Sequence, residues 1–165
     1  MASEKIDRLP MQWSASQYAG FSDVLPTMMP DNQYVTVNVS VQASDPNSLL
    51  SHYRTLIALR NSHPALRTGG LYLLSTLDQG LFACLRTTSD ESILVIINLT
   101  GSPIQDYQLS LDASTLPQGE YSTISLMGVT DLAPLKVFNK GALRDYVPLR
   151  EIPPYATLML SLKSK

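Results

Sequence analysis

From Gly69 onward, apolar and polar residues alternate in short runs: "GGLYLLST", "GLFACLRTT", "ESILVIINLT", "DYQLSLDAS", "GEYSTISLMG" and "ATLMLSLKS". A period of two is that of a strand, whose successive side chains face opposite sides of a sheet. Turn formers part most of these runs, at Asp78-Gln79-Gly80, Ser89-Asp90, Gly101-Ser102-Pro103 and Leu116-Pro117-Gln118-Gly119. About six to eight short strands at this spacing predict a mainly β fold, an antiparallel sandwich over residues 70–165. Leu81, Leu94, Ile96, Leu109, Leu158 and Leu160 are its expected core. "PLKVFNKG" and "YVPLREIPP" add edge pieces, because Pro148, Pro153 and Pro154 restrict where ladders form.

Upstream the period changes. In "DPNSLLSHYRTLIALRNSHPAL", Leu49, Tyr53, Leu56 and Ile57 recur at the spacing of one helix face, widened by Leu50 and Leu59. Asp45 as N-cap with Pro46 just inside opens a helix over 46–62, and Pro64 stops it near Ser62. Residues 1–46 read as loop, with Gly20, Pro26, Pro30, Asp31 and Asn32 as breakers. Within them "YVTVNVSVQ" alternates Val35, Val37, Val39 and Val41 and predicts one short strand. An irregular stretch of this length is normally functional or disordered.

The residue types that carry chemistry are sparse. Charged residues make up 16% of the chain, with a net charge of -2. That share lies below the roughly 25% usual for soluble domains, so something is expected to cover part of the surface. Without a Lys/Arg cluster the chain lacks the footprint of a nucleic-acid binder. No apolar run reaches the about 20 residues of a membrane span. Cys84 stands alone in an alternating run and reads as a small buried hydrophobe. His52 and His63 have no Cys or carboxylate at ligand spacing, so no metal is expected, and no cofactor loop occurs. His52 reads as an ordinary helix residue, and His63 as a residue suited to a helix C-terminus. The acids Asp78, Asp90, Glu91, Asp112, Asp131 and Asp145 sit in turns, where carboxylates cap backbone N–H groups or stay solvated. The sequons at Asn38 and Asn98 interrupt strand-like runs, which favours a strand-end hydrogen bond over glycosylation.

One stretch does not fit a chain terminus. "DRLPMQW" places the only tryptophan, Trp13, near the start, where most domains are polar and loosely held. The string "RLPMQWSASQYAGFS", followed by "NQYVTVNVSVQASDPNSLLSHYRTLIALRNSHPALRTG", closely resembles the tail of α-amylase superfamily glycoside hydrolases. The nearest branch is that of the α-glucosidases, oligo-1,6-glucosidases and trehalose synthases. There the matching string reads Arg-Thr-Pro-Met-Gln-Trp-Asp. The resemblance covers residues 8–69 with high specificity. It continues more weakly through "FACLRTTSDESILVIINLT" and "IPPYATLMLSL".

The resemblance implies a place for each region. Residues 1–69 would be the tail of a catalytic (β/α)8 barrel, with a loop over 7–45 beside the substrate cleft and the final helix at 46–62. Residues 70–165 would be the C-terminal β-sandwich. The family's nucleophile, acid/base and transition-state-stabilising carboxylates lie earlier in the barrel, so the chain by itself is expected to be inert. Arg8, Gln12 and Trp13 match the motif and are the expected cleft residues, with Trp13 as packing against the barrel for the alternative. Leu9 and Ser14 depart from the family's Thr and Asp, and "MMP" at 28–30 replaces its Trp-Leu-Pro. These departures touch the aromatic wall and the linkage preference.

Two other readings compete with a non-catalytic C-terminal part of an α-glucan- or α-glucoside-acting retaining hydrolase. The sandwich would be a carbohydrate-binding module if Tyr72, Tyr107, Tyr121, Tyr146 and Tyr155 formed exposed pairs. An adaptor unrelated to glycans would not explain the match at 8–69. The expected partners are the upstream barrel and an α-glucan or oligosaccharide. Without the barrel, the stripe on helix 46–62 is expected to pair with a second copy.

Overall fold

The period-two runs become strands. The computed structural model describes residues 9–165, and Leu59–Lys165 form one compact unit within it. This unit holds eight strands: β1 (Gly70–Leu73), β2 (Leu81–Thr87), β3 (Ser92–Asn98), β4 (Leu109–Leu111), β5 (Gly119–Met127), β6 (Leu135–Val137), β7 (Leu143–Tyr146) and β8 (Thr157–Ser164). Six of them build an antiparallel sheet in the order β1-β2-β3-β8-β5-β6, and β4 pairs with β7 in a two-stranded ribbon. The fold is mainly β and antiparallel, as expected. The two edge pieces are short: "PLKVFNKG" supplies β6, and "YVPLREIPP" supplies only Tyr146 at the end of β7 and an Ile104–Ile152 bridge. Three prolines within that run leave few N–H groups for a ladder.

Register explains the core. Ala83 faces Ile96, Leu85 faces Leu94, and these in turn face Leu158 and Leu160 across β3 and β8. With Leu81, Leu109, Leu135, Leu143 and Ile152 they form one buried cluster, which includes all six leucine and isoleucine positions expected from the pattern. The opposite side of the same strands carries Cys84, Ile93 and Val95. These pack with Ala65 and Leu66 of a short helix and with Leu59. Strand β3 is therefore buried on both faces over Ser92–Ile96, which is why "ILVII" reads as a continuous apolar run rather than an alternating one. Cys84 is a free, buried thiol, its pKa pushed up by burial against a smaller opposing effect of Arg86.

The described residues up to Ala58 form the second unit. It holds α1 (Val39–Ser44), most of α2 (Leu49–Ser62) and single 3-10 turns at Gln17–Gly20 and Asn32–Val35, while the short helix α3 (Pro64–Thr68) belongs to the β-rich unit. Two expectations are corrected here. The alternating valines do not form a strand, because Asn38 caps a helix in their midst: its Oδ1 accepts the Val41 N–H at 2.9 Å. Helix α2 starts at Leu49 rather than 46. Asp45 spends its carboxylate on the Asn47 N–H in a tight turn, and the Ser48 hydroxyl oxygen accepts the Ser51 N–H at 3.1 Å. Pro64 ends α2 as expected and then opens α3 from its first position.

Candidate functional site

The residues around Trp13 are tied down from both sides of the chain. Trp13 and Ser14 both donate their N–H groups to the Ala19 carbonyl, at 2.9 and 3.0 Å. The loop between them closes through three successive left-handed residues, Tyr18 (φ 53°), Ala19 (φ 60°) and Gly20 (φ 64°). Tyr18 and Ala19 are strained there by roughly 1–3 kcal/mol each. Gly20 is required, since a Cβ at this position would come within 2.6 Å of the Ser14 hydroxyl.

The carbonyls of the same segment hold α1. Gln12 C=O accepts the Val39 N–H at 2.9 Å, and Trp13 C=O accepts the Ser40 N–H at 3.0 Å. With the Asn38 cap, the first three N–H groups of α1 are satisfied without water. Asn38 is 2% exposed and also donates from Nδ2 to the Tyr34 carbonyl at 2.8 Å. The backbone of Trp13 is thus fixed at N–H and at C=O, while its side chain is 51% exposed. A rigid backbone that presents an exposed indole is how a stacking surface is built.

Of the three expected cleft residues, Arg8 lies outside the described residues. Gln12 is half-buried and lines a depression of about 250 Å³ with Leu9, Pro10, Val37 and Asn38. Trp13 follows it directly. Met11, Phe21, Leu49, Tyr53 and Ile57 are also exposed in this unit, whereas Ala19 and Pro30 are buried. Asn38 was readable as an N-cap, but the valine alternation pointed to a strand.

In the β-rich unit the most constrained acid is Glu91, in the turn between β2 and β3. Its Oε1 lies 2.6 Å from His63 Nδ1, and its Oε2 accepts the Ala65 N–H at 3.0 Å. His63 itself gives α3 no side-chain cap, so a carboxylate 28 residues away supplies it. Burial pushes the Glu91 pKa up. The hydrogen bonds from His63 and Ala65 and the charges of His63 and Lys163 outweigh it, and the carboxyl is held below its ordinary value. The turn-acid reading also holds for Asp78, which accepts the Gly80 N–H at 2.7 Å.

Asn98 behaves as a strand-end anchor, as its position in the run predicts. Its Nδ2 donates to the carbonyls of Ser102, Ile152 and Pro153, and its Oδ1 accepts from the N–H and hydroxyl of Thr100. Three of the five tyrosines weighed as sugar platforms are core residues. Tyr107, Tyr121 and Tyr146 are buried, and their hydroxyls donate to the carbonyls of Leu149, Pro117 and Ala133. Tyr155 is exposed and Tyr72 half-buried. Among the described residues no group of three His, Cys, Asp or Glu is placed to hold a metal ion, and no helix is long and apolar enough to cross a membrane.

Comparison with known proteins converges on one family. Residues 2–69 match the family model described as the alpha amylase catalytic domain. The chain is 38% identical over 96 residues to probable oligo-1,6-glucosidase 3 of Bacillus subtilis, covering 58% of this chain and 17% of that protein. It is 37% identical over 101 residues to the oligo-1,6-glucosidase of Halalkalibacterium halodurans, covering 61% and 18%. The chain thus spans less than a fifth of the length of these relatives. Among solved structures it is similar to the trehalose-6-phosphate hydrolase TreA of Bacillus licheniformis, with a TM-score of 0.65, 27% identity, and coverage of 94% of this chain and 25% of that one. It is likewise similar to the trehalulose synthase MutB of Pseudomonas mesoacidophila MX-45, with a TM-score of 0.64, 28% identity and the same coverage. A motif of this specificity near Trp13, a family model over residues 2–69 and relatives of one kind agree, and together they support the α-amylase superfamily of glycoside hydrolases, the relatives being named as α-glucosidases and oligo-1,6-glucosidases.

Proposed function

We propose that the chain is the non-catalytic C-terminal part of a retaining glycoside hydrolase that acts on α-glucosides. In this reading residues 1–69 complete the catalytic barrel, with α2 as its final helix. Residues 70–165 form a sandwich whose layers are the six-stranded sheet and the β4–β7 ribbon, and it stabilises the barrel. One buried cluster draws on both layers, which supports the sandwich assignment.

The observation that carries the proposal is the exposure of Met11, Trp13, Phe21, Leu49, Tyr53 and Ile57, all within the residues that match a catalytic domain. Apolar surface of this extent is ordinarily covered by a partner. The chemistry agrees. A retaining glycosidase needs a carboxylate nucleophile and an acid of raised pKa about 5–5.5 Å apart. The most constrained carboxyl in the β-rich unit, Glu91, is lowered instead and committed to His63 and Ala65. Arg8, Gln12 and Trp13 then line the substrate cleft of the complete enzyme, Trp13 by stacking on a sugar ring and the other two by hydrogen bonding.

The test is a chimera in which this chain replaces the matching C-terminal part of Bacillus subtilis oligo-1,6-glucosidase 3. The chain alone is expected to release no glucose from isomaltose, and the chimera to be active. Trp13→Ala in the chimera should raise KM by about tenfold, a loss of roughly 1.4 kcal/mol of binding. Turnover by the isolated chain that disappears when one of its own acids is replaced would sink the proposal. An unchanged KM in the Trp13 variant would remove Trp13 from the cleft.

A further inference from the structure

The β-rich unit carries a groove of about 660 Å³ at one end of the six-stranded sheet. Its floor is apolar, made by Leu116, Tyr121 and Leu162 of the main core. Its rim is polar: the β2–β3 turn with Asp90 on one side, Thr115 on the other, and Lys163 and Ser164 from the end of β8. Tyr72 adds a half-buried ring.

The size is that of a small-molecule site, for which about 300–1,000 Å³ is usual. The charges narrow the ligand. Asp90 and Glu91 both line the groove with Lys163, so a bound anion would meet two carboxylates for one ammonium. Glu91 is already committed to His63 and Ala65, which leaves Asp90 and Lys163 as the charged groups for a ligand. Lys163 makes no ion pair among the described residues. A wholly apolar ligand would take water from Lys163, Asp90 and the Thr115 hydroxyl without replacing its hydrogen bonds. An apolar floor beneath the Thr115 hydroxyl, one carboxylate and one ammonium suits a neutral polyhydroxyl compound, with C–H groups on the floor and hydroxyls on the rim.

We propose that this groove is a sugar-binding site separate from the cleft residues, and that it takes a glucose unit of an α-glucoside. The choice of α-glucoside among neutral polyols rests on the function proposed above, while the groove itself does not. It differs from a tyrosine platform, since it offers a concave pocket rather than a flat aromatic pair.

The experiment is saturation-transfer NMR and calorimetric titration of the full chain with isomaltose and with maltose, using sorbitol and inorganic phosphate as controls. Binding to at least one disaccharide is expected. Lys163→Met should weaken it by about tenfold, the effect of losing one charged hydrogen bond. Thr115→Val serves as a second, exposed variant in case Lys163→Met perturbs folding, and should weaken binding in the same direction. Leu77→Ser, at an exposed position outside the groove, should leave the affinity unchanged, and Trp13→Ala is titrated alongside so that sugar held at the cleft residues and sugar held in the groove give different results. The proposal is overturned if neither disaccharide binds, or if sorbitol or phosphate binds equally well. It is also overturned if binding depends on Trp13 and not on Lys163 or Thr115.

Discussion

Leu49, Tyr53 and Ile57 lie a helical turn apart on α2 and all three are exposed, whereas Leu81, Ala83 and Leu85 lie two residues apart on β2 and all three are buried. Both sets follow the period of their element, so the pattern alone does not tell which will find cover. The strand set is covered by side chains of its own unit, from β3, β8 and the β4–β7 ribbon. The helical set belongs to the unit of described residues up to Ala58, where the backbone is closely hydrogen-bonded but little apolar surface is buried. The β-rich unit is held by burial, and the other by polar bonds around Trp13 and Asn38. Backbone hydrogen bonds can set a shape, but each adds only about 0.5–1.5 kcal/mol, less than a buried leucine.

The largest effect should come from the buried side of this contrast. Leu160 is 0% exposed, and Leu160→Ala should cost about 2–5 kcal/mol. Ile57→Ala, at a position 56% exposed, should stay within about 0.5 kcal/mol at protein concentrations where the chain is monomeric. Urea midpoints of the two variants measure the gap, and equal shifts would erase the distinction. An intermediate effect is expected on association. We propose that in the isolated chain the α2 stripe of Leu49, Tyr53, Leu56 and Ile57 pairs with a second copy, each buried aliphatic contributing roughly 1.5–3 kcal/mol. Sedimentation over a wide concentration range should show a dimer that Leu56→Glu combined with Ile57→Lys abolishes. A monomer at every concentration refutes the pairing.

The smallest effect concerns Glu91. Its carboxyl is held below the ordinary value in the folded chain, so it contributes stability above about pH 4.3, the unfolded value, and that contribution fades as pH falls through the folded value. Glu91→Gln should lower stability at neutral pH and flatten the acid limb of a stability-versus-pH curve. An acid limb identical in both proteins would show that the His63–Glu91 contact is not coupled to folding.

The strands were legible because period two, turn formers and β-branched residues all point the same way between Gly69 and the last run. What escaped was every feature built by residues distant in sequence. The Gln12 and Trp13 carbonyls that receive the first N–H groups of α1 carry no side-chain signature, so the valines at 35–41 kept the look of a strand. The Glu91 cap of α3 spans 26 residues to Ala65, and nothing in either local string announces it. Asp45 and Pro46 resembled a helix start because that pair also suits a tight turn, and the Ser48 hydroxyl two residues later decided the matter. At the candidate cleft the motif pointed to Gln12 and Trp13. The left-handed turn through Tyr18, Ala19 and Gly20 that fixes Trp13 was unreadable, since only Gly20 is a residue that favours such a conformation.

The double burial of β3 has a kinetic side. Its neighbour β2 is adjacent in sequence, but its other neighbour, β8, is made only after residues 99–156. A ribosome adding about 5–20 residues per second needs several seconds to cover that distance. Throughout that interval "ILVII" has one unpaired edge, no charge and no proline, the profile of a segment that joins other chains. The yield of native protein should therefore depend on how quickly β8 arrives, and substitutions that slow the closing of this gap should appear as aggregation during synthesis before they appear as lost stability in the finished fold.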